Sequence, residues 1–188
     1  MGTQTGTHPP DRRTGLLSRF RRNRDGSTAV EFALLALPFA VLVFAILESC
    51  ISFAGQQVMS NITDDIARQV RTGQLKPADL NEATLKGMIC AELEIMVAKD
   101  CPGLEVDLRE FPTFADAAQV RIRLTADRDL NTSDFAVSPG LSMSKNMLRV
   151  FYKWPVITDF MSKLVSNLKG GKTLHFATVT WQNEPFDD

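Results

Sequence analysis

Phe32-Ala33-Leu34-Leu35-Ala36-Leu37-Pro38-Phe39-Ala40-Val41-Leu42-Val43-Phe44-Ala45-Ile46-Leu47 contains no charged or strongly polar side chain. As a helix, these 16 residues reach about 24 Å at roughly 1.5 Å per residue. The hydrocarbon core of a bilayer is about 30 Å thick and needs about 20 residues. Ala29 and Val30 before the run, and Cys50 to Ala54 after it, supply the difference past two interrupting acids, Glu31 and Glu48. Residues 29–54 are therefore predicted to form one spanning helix with an acid near each end. A buried helix in a soluble core would give a similar run, but its flank argues for a membrane. Residues 1–26 hold six arginines (Arg12, Arg13, Arg19, Arg21, Arg22 and Arg24) against Asp11 and Asp25, a net charge of +4. The other 162 residues carry 15 basic and 20 acidic side chains, a net charge of −5. The whole-chain values, 188 residues with a net charge of −1, 44% hydrophobic and 23% charged, conceal this split. Arginine accumulates on the cytoplasmic side of a span, so the N-terminus should face the cytoplasm and the C-terminal part should lie outside it. An acidic remainder argues against bulk nucleic-acid binding.

Three processing fates suit such a segment. A signal peptidase could cut after Ala54, where Ser52-Phe53-Ala54 places small residues at the right positions. Leu47-Glu48-Ser49-Cys50 could act as a lipoprotein box, although Glu48 stands where a small residue is wanted. Cleavage could instead fall on the cytoplasmic side, just before the apolar run.

The third fate has motif support. Arg21-Arg22-Asn23-Arg24-Asp25-Gly26-Ser27-Thr28-Ala29-Val30-Glu31-Phe32 resembles a prepilin peptidase site, with a basic leader ending in glycine and glutamate as the fifth mature residue. Gly26 through Pro38 is similar to the start of TadE-like pseudopilins of tight-adherence (Flp-type) pilus systems. Asp64-Asp65-Ile66-Ala67-Arg68-Gln69-Val70-Arg71-Thr72-Gly73-Gln74, the paired cysteines and Asn183-Glu184-Pro185-Phe186 resemble further stretches of that family. The resemblance implies a minor pilin or pseudopilin that takes part in pilus assembly and in cell adhesion. Arg24, Asp25, Gly26 and Ser27 would form the processing site, and Glu31, Phe32 and Pro38 would serve assembly. The implied partners are the inner membrane, a prepilin peptidase, other pilins or pseudopilins and the tight-adherence machinery. The implied location is single-pass in a bacterial inner membrane, C-terminal domain periplasmic, with incorporation into the pilus open. An uncleaved, single-span envelope protein with a partner-binding outer domain is the rival reading.

Glu31 also has a reading that needs no family. A carboxylate costs roughly 2.5–3.5 kcal/mol at mid-bilayer and less near the interface, so such residues usually have a function and a partner. Cleavage after Gly26 would create an amine on Ser27, four residues away on the same helical face. Family likeness implies pairing with that amine on a neighbouring subunit; snorkelling into headgroups is the alternative. Pro38 removes one backbone hydrogen bond and should bend the helix. Cys50 is read as a small apolar residue facing lipid or a partner helix.

Beyond Ala54 the helix should continue to about Val70, with Val58, Ile62, Ala67 and Val70 at helical spacing and Gly73 as the stop. A second helix is predicted after Lys76-Pro77-Ala78-Asp79, with Leu85, Met88, Ile89, Leu93 and Met96 as its apolar stripe. Leu104–Arg109, Val120–Leu124, Leu148–Trp154 and Leu174–Trp181 are strand candidates. The period-2 alternation of apolar and charged residues predicts an antiparallel sheet with one buried and one wet face. Val156, Ile157, Phe160, Met161, Leu164, Val165 and Leu168 predict an amphipathic helix from near Pro155 to Gly170-Gly171. Residues 126–146, rich in Asp, Asn, Ser and Gly, suit a loop or short insertion. The expected class is α+β: a long N-terminal transmembrane helical spine, then a small antiparallel-sheet head with packed helices. Expected bounds are a leader at 1–26, the helix at 27–72 and the exported domain at 73–188. In an oxidising compartment Cys90 and Cys101 should form a disulfide, two reduced core cysteines being the alternative.

No catalytic constellation stands out, and the chain is expected not to be an enzyme and to need no cofactor. His175 is the single histidine after His8, it sits in a strand candidate, and no glycine-flanked serine elbow accompanies it. It is read as a packed or surface strand residue. Metal binding would need more ligands than the sequence offers.

Overall fold

The computed structural model describes Gly2 and residues 27–187. The expected processing residues Arg24, Asp25 and Gly26 lie outside the described residues. Helix α1 spans Ser27–Arg71, 45 residues or about 68 Å long, with Pro38 inside it. The chain divides into two compact units, Met1–Phe44 and Ala45–Asp188. In the first unit the described structure from Ser27 onward is helix alone. The second unit holds the C-terminal part of α1 and everything after it.

Gly73 stops α1 as the sequence predicts. It adopts φ +71°, its N–H bonds Val70 O at 3.2 Å, and Gln74 N–H bonds Gln69 O at 2.9 Å. This closing pattern satisfies the last helical carbonyls and needs a left-handed residue. A side chain there would also collide with the Phe186 ring, 2.7 Å from the position of a Cβ. A short 3-10 turn at Pro77–Asp79 leads to α2, Glu82–Leu93, whose first turn is capped by Asn81 accepting from Thr84 N–H at 2.9 Å. Leu85, Ile89 and Leu93 are its buried stripe. Cys90 and Cys101 form a disulfide with Cα atoms 5.7 Å apart, tying α2 to the turn before the first strand.

Strand β1 is Leu104–Phe111, followed by a short helix α3 at Phe114–Ala118 and the two-residue strand β2 at Val137–Ser138. Strand β3 covers Lys145–Pro155, helix α4 Asp159–Val165 and strand β4 Lys172–Gln182. They form a four-stranded sheet in the order β2-β1-β3-β4. The long pairs are antiparallel, with Leu108 opposite Leu148 and Leu148 opposite Val179. One face of the sheet meets α1 and α2 in a core of Met59, Ile62, Ile66, Val70, Leu85, Ile89, Leu108, Leu148, Val150, Trp154 and Trp181. The α+β class stands.

Five expectations within that class need correction. The sheet is mixed, because β2 pairs with β1 in parallel through Leu108–Val137 and Arg109–Ser138. That pairing takes the free edge of β1, and Val120–Leu124 joins no strand of the sheet. Its Leu124 makes only an isolated bridge to Leu130, and Arg121 to Leu124 are exposed. The last helix is shorter than its apolar pattern: Ile157 and Thr158 N–H groups are spent on Glu48, and Asn167 and Leu168 pair with Lys172. Residues 126–146 are not all loop, since they carry β2.

The second face of the sheet is covered over β1 and β3, which is the fifth correction, while Phe176, Thr178 and Thr180 of β4 leave it exposed there. Asp107 is 0% exposed and Arg149 4%, and Phe151 is fully buried on the same face. Arg149 Nε and Nη2 donate to Asp107 Oδ2 at 2.9 and 2.6 Å, and Ala136 N–H donates to Oδ1 at 3.0 Å. Arg149 also lies over the rings of Phe135 and Phe151, at 5.3 and 5.5 Å. The segment after α3 supplies Phe135 and so covers a face that alternation alone marks as polar.

Breaking a buried ion pair from one side leaves an uncompensated charge, which costs about 3–5 kcal/mol. Asp107→Ala should therefore lower the unfolding free energy of the full chain in detergent micelles by about that amount. Arg68→Ala, which removes the exposed 2.6 Å pair with Asp65, should cost under about 1 kcal/mol. Chemical denaturation of the two variants checks the contrast.

Candidate assembly site

Between Thr28 and Phe44 no side chain is buried. Val30, Phe32, Leu34, Leu35, Leu37, Phe39, Val41, Leu42 and Phe44 are exposed by 43–73%. Burying such a side chain is worth roughly 1.5–3 kcal/mol, so the stretch demands an apolar surround that its own chain does not supply. A helix suits that surround because its backbone polar groups bond within the segment. Within this segment Glu31 lies one helical turn after Ser27, Phe32 is 73% exposed, and Pro38 is exposed. The structure thus places the three expected assembly residues on one uncovered stretch, in the first three turns after Ser27.

From Ala45 onward α1 acquires contacts. Glu48 accepts from the N–H groups of Ile157 and Thr158 and from Thr158 Oγ1 at 2.6 Å. Ser52 Oγ lies 2.9 Å from Nε2 of His175, and Gln56 Nε2 donates to Phe176 O at 2.8 Å. Gly55 lets the Trp154 ring approach so closely that a Cβ would stand 2.4 Å from it. Trp154 in turn stacks on His175, with centroids 4.9 Å apart. A cavity of about 290 Å³ remains beside these groups, lined by Ser49, Phe53, Met161, Val165 and Thr173 among others.

Sequence reasoning gave Glu48 and Ser52 other meanings, as an interrupting acid and as part of a signal cleavage box. A charged residue and a glycine seven positions apart in an otherwise apolar helix were the available signal. Their spacing puts both on one face, and that face receives the Trp154 ring of β3 and the loop before α4. His175 is a packed strand residue, 7% exposed, in agreement with its sequence reading. Burial lowers its pKa below the ordinary imidazole value.

A second cluster closes the C-terminal end of α1. Arg71 Nε pairs with Glu184 at 3.4 Å, and Glu184 N–H bonds Arg71 O at 2.9 Å. Asn183 is 2% exposed; its Nδ2 donates to Gly140 O and Leu141 O at 3.0 and 2.9 Å, and its Oδ1 accepts from Trp181 Nε1 at 2.7 Å. The Arg-Thr-Gly stretch and the Asn-Glu-Pro-Phe terminus, more than a hundred residues apart in sequence, are thus one packed unit. Cys50 is a free, exposed thiol on α1, as expected of a residue turned outward.

Residues 26–68 match the family model described as TadE-like protein. No curated protein and no solved structure matches the chain. The TadE-like segment starts at Gly26 and ends at Arg68, so it takes in Glu31, Phe32, Pro38, Glu48 and Gly55. Its apolar half fits a single-pass membrane anchor.

Because folding holds His175 neutral, the unfolded chain takes up its proton first as pH falls. The stability from this site should be complete above about pH 7 and drain away as pH falls through the lowered native pKa. The urea midpoint of the full chain in micelles should therefore drop as pH falls below about 7, and His175→Phe should flatten that part of the profile.

Proposed function

We propose that the chain is a minor pilin or pseudopilin of a tight-adherence pilus. Its arginine-rich leader stays in the cytoplasm, and a prepilin peptidase of the inner membrane cleaves after Gly26. The trimmed subunit then joins other pilins through α1, with the disulfide-bonded α+β domain in the periplasm or on the filament. The role is structural rather than enzymatic, and it needs no cofactor. One observation carries this reading: the TadE-like match opens at the glycine that precedes Ser27, where α1 begins, and runs on through an apolar stretch left uncovered.

The mechanism follows from the physical chemistry of that stretch. Before assembly, lipid satisfies the apolar side chains; afterwards, neighbouring helices can do the same by packing, because lipid and leucine are equally apolar. Exchange between the two surrounds is then close to neutral, and a polar pairing can decide register. Glu31 supplies the carboxylate for that pairing, and cleavage supplies the ammonium group on Ser27 of a neighbour. A salt bridge of this kind is worth most where water is excluded.

N-terminal sequencing of the protein from native membranes should give Ser27 as the first residue. Gly26→Leu should leave the precursor uncut and abolish pili. Glu31→Ala should be cleaved normally yet reduce pilus number about tenfold or more, the equivalent of losing 1.4 kcal/mol or more of assembly free energy. A wild-type chain still starting within residues 1–26 would reject the processing step and favour an uncleaved anchor.

A further inference from the structure

The covered face of the sheet contains a charge imbalance that its own residues do not resolve. Asp107 serves two guanidinium groups: Arg149 through Nε and Nη2, and Arg109 through Nη2 at 3.0 Å, with Nε 2.8 Å from Oδ1 in an ion contact. Its Oδ1 is further occupied by the N–H of Ala136. One carboxylate therefore balances two positive charges in a region where it is itself fully buried. Arg149 Nη1 is left buried with no hydrogen-bond partner among the described residues. A buried donor without an acceptor is unfavourable, and more so when it carries charge, so such groups usually mark an absent partner.

That partner has a place to sit. Arg149 and Arg109 line a cavity of about 280 Å³, walled on the outer side by Arg121, Arg123 and Asn131. Arg123 leans on Asp134 at 3.3 Å, whereas Arg121 makes no ion pair among the described residues. Counting Asp107 with the two acids of the wall, Asp116 and Asp134, four arginines face three carboxylates. The inner two arginines are fixed: Arg149 by Asp107 and by Phe135 and Phe151, Arg109 by Asp107 and by the Phe111 ring at 5.5 Å. Planar guanidinium groups held in advance suit a compact oxyanion with several acceptor oxygens.

We propose that this cavity, between β1, β3 and the segments at 120–123 and 131–135, is an anion site that takes a phosphoryl group. Arg149 Nη1 donates from the floor, Arg109 from beside it, and Arg121 and Arg123 close over the outer oxygens. The volume is at the small end for ligand pockets, which fits inorganic phosphate or one phosphoryl group at the end of a larger molecule. Phosphorylated sugars of a surface polymer are one source of that chemistry and free phosphate is the other. The site is independent of the pilin reading, since it lies entirely within the second unit.

The full chain, purified in uncharged detergent, should be titrated by calorimetry with inorganic phosphate and separately with glucose 1-phosphate, at fixed ionic strength with chloride as background. Saturable binding to inorganic phosphate is expected, with a rise in the unfolding midpoint. The double variant Arg121→Gln, Arg123→Gln should weaken binding about tenfold or more while keeping the unliganded midpoint, because both side chains are exposed. Glucose 1-phosphate binding about tenfold tighter than phosphate would assign the site to phosphorylated sugars; equal or weaker binding would assign it to free phosphate. No saturable heat with either probe at about 10 mM, or binding untouched by the double variant, would overturn the site.

Discussion

Everything in this chain depends on α1 meeting two different surrounds along one unbroken helix. From Thr28 to Phe44 its side chains are exposed and apolar. From Met59 to Val70, every third or fourth residue enters the core with the sheet and α2. The first stretch needs lipid or neighbouring helices, and the second supplies its own domain with a wall. Removing either surround leaves apolar area in water at roughly 25 cal/mol per Å².

The change of surround is specified by polar and small residues rather than by a break in the helix. Glu48 receives the loop before α4, Ser52 and Gln56 receive β4, and Gly55 receives the Trp154 ring. At the other end Arg71 pairs with Glu184 and Gly73 receives the Phe186 ring, which locks the helix stop to the C-terminal segment. These residues make α1 an integral wall of the second unit from Ala45 onward. The TadE-like match covers the first of these two sets and stops short of the second.

Much of this was legible in the sequence because the decisive patterns are long or chemically extreme. A 16-residue apolar run beside six arginines, a glycine after a periodic helix, and two cysteines eleven residues apart each admit few structures. The three long strands declared themselves through alternation. Val120–Leu124 did so as well, wrongly, because alternation reports a pleat's two faces and not whether an edge is free to pair. The buried Asp107–Arg149 pair escaped for a related reason: a charge in a strand marks a polar face, and only tertiary cover from Phe135 turns that face inward. Glu48 looked like an interruption of a span until the structure supplied the residues that touch it. Of the expected processing site only Ser27, the first residue of α1, lies in the described structure, so the reading of Arg24, Asp25 and Gly26 rests on motif alone.

The central claim is that the uncovered stretch of α1 packs against like helices. Photo-crosslinking tests it most directly, with a benzophenone side chain placed one position at a time from Val30 to Phe44 in cells that make pili. Adducts with pilin subunits should recur every three or four positions along the stretch and be missing at the buried Ile62 and Ile66. Adducts with lipid alone at every position, in cells bearing normal pili, would contradict helix packing and leave α1 as a tether.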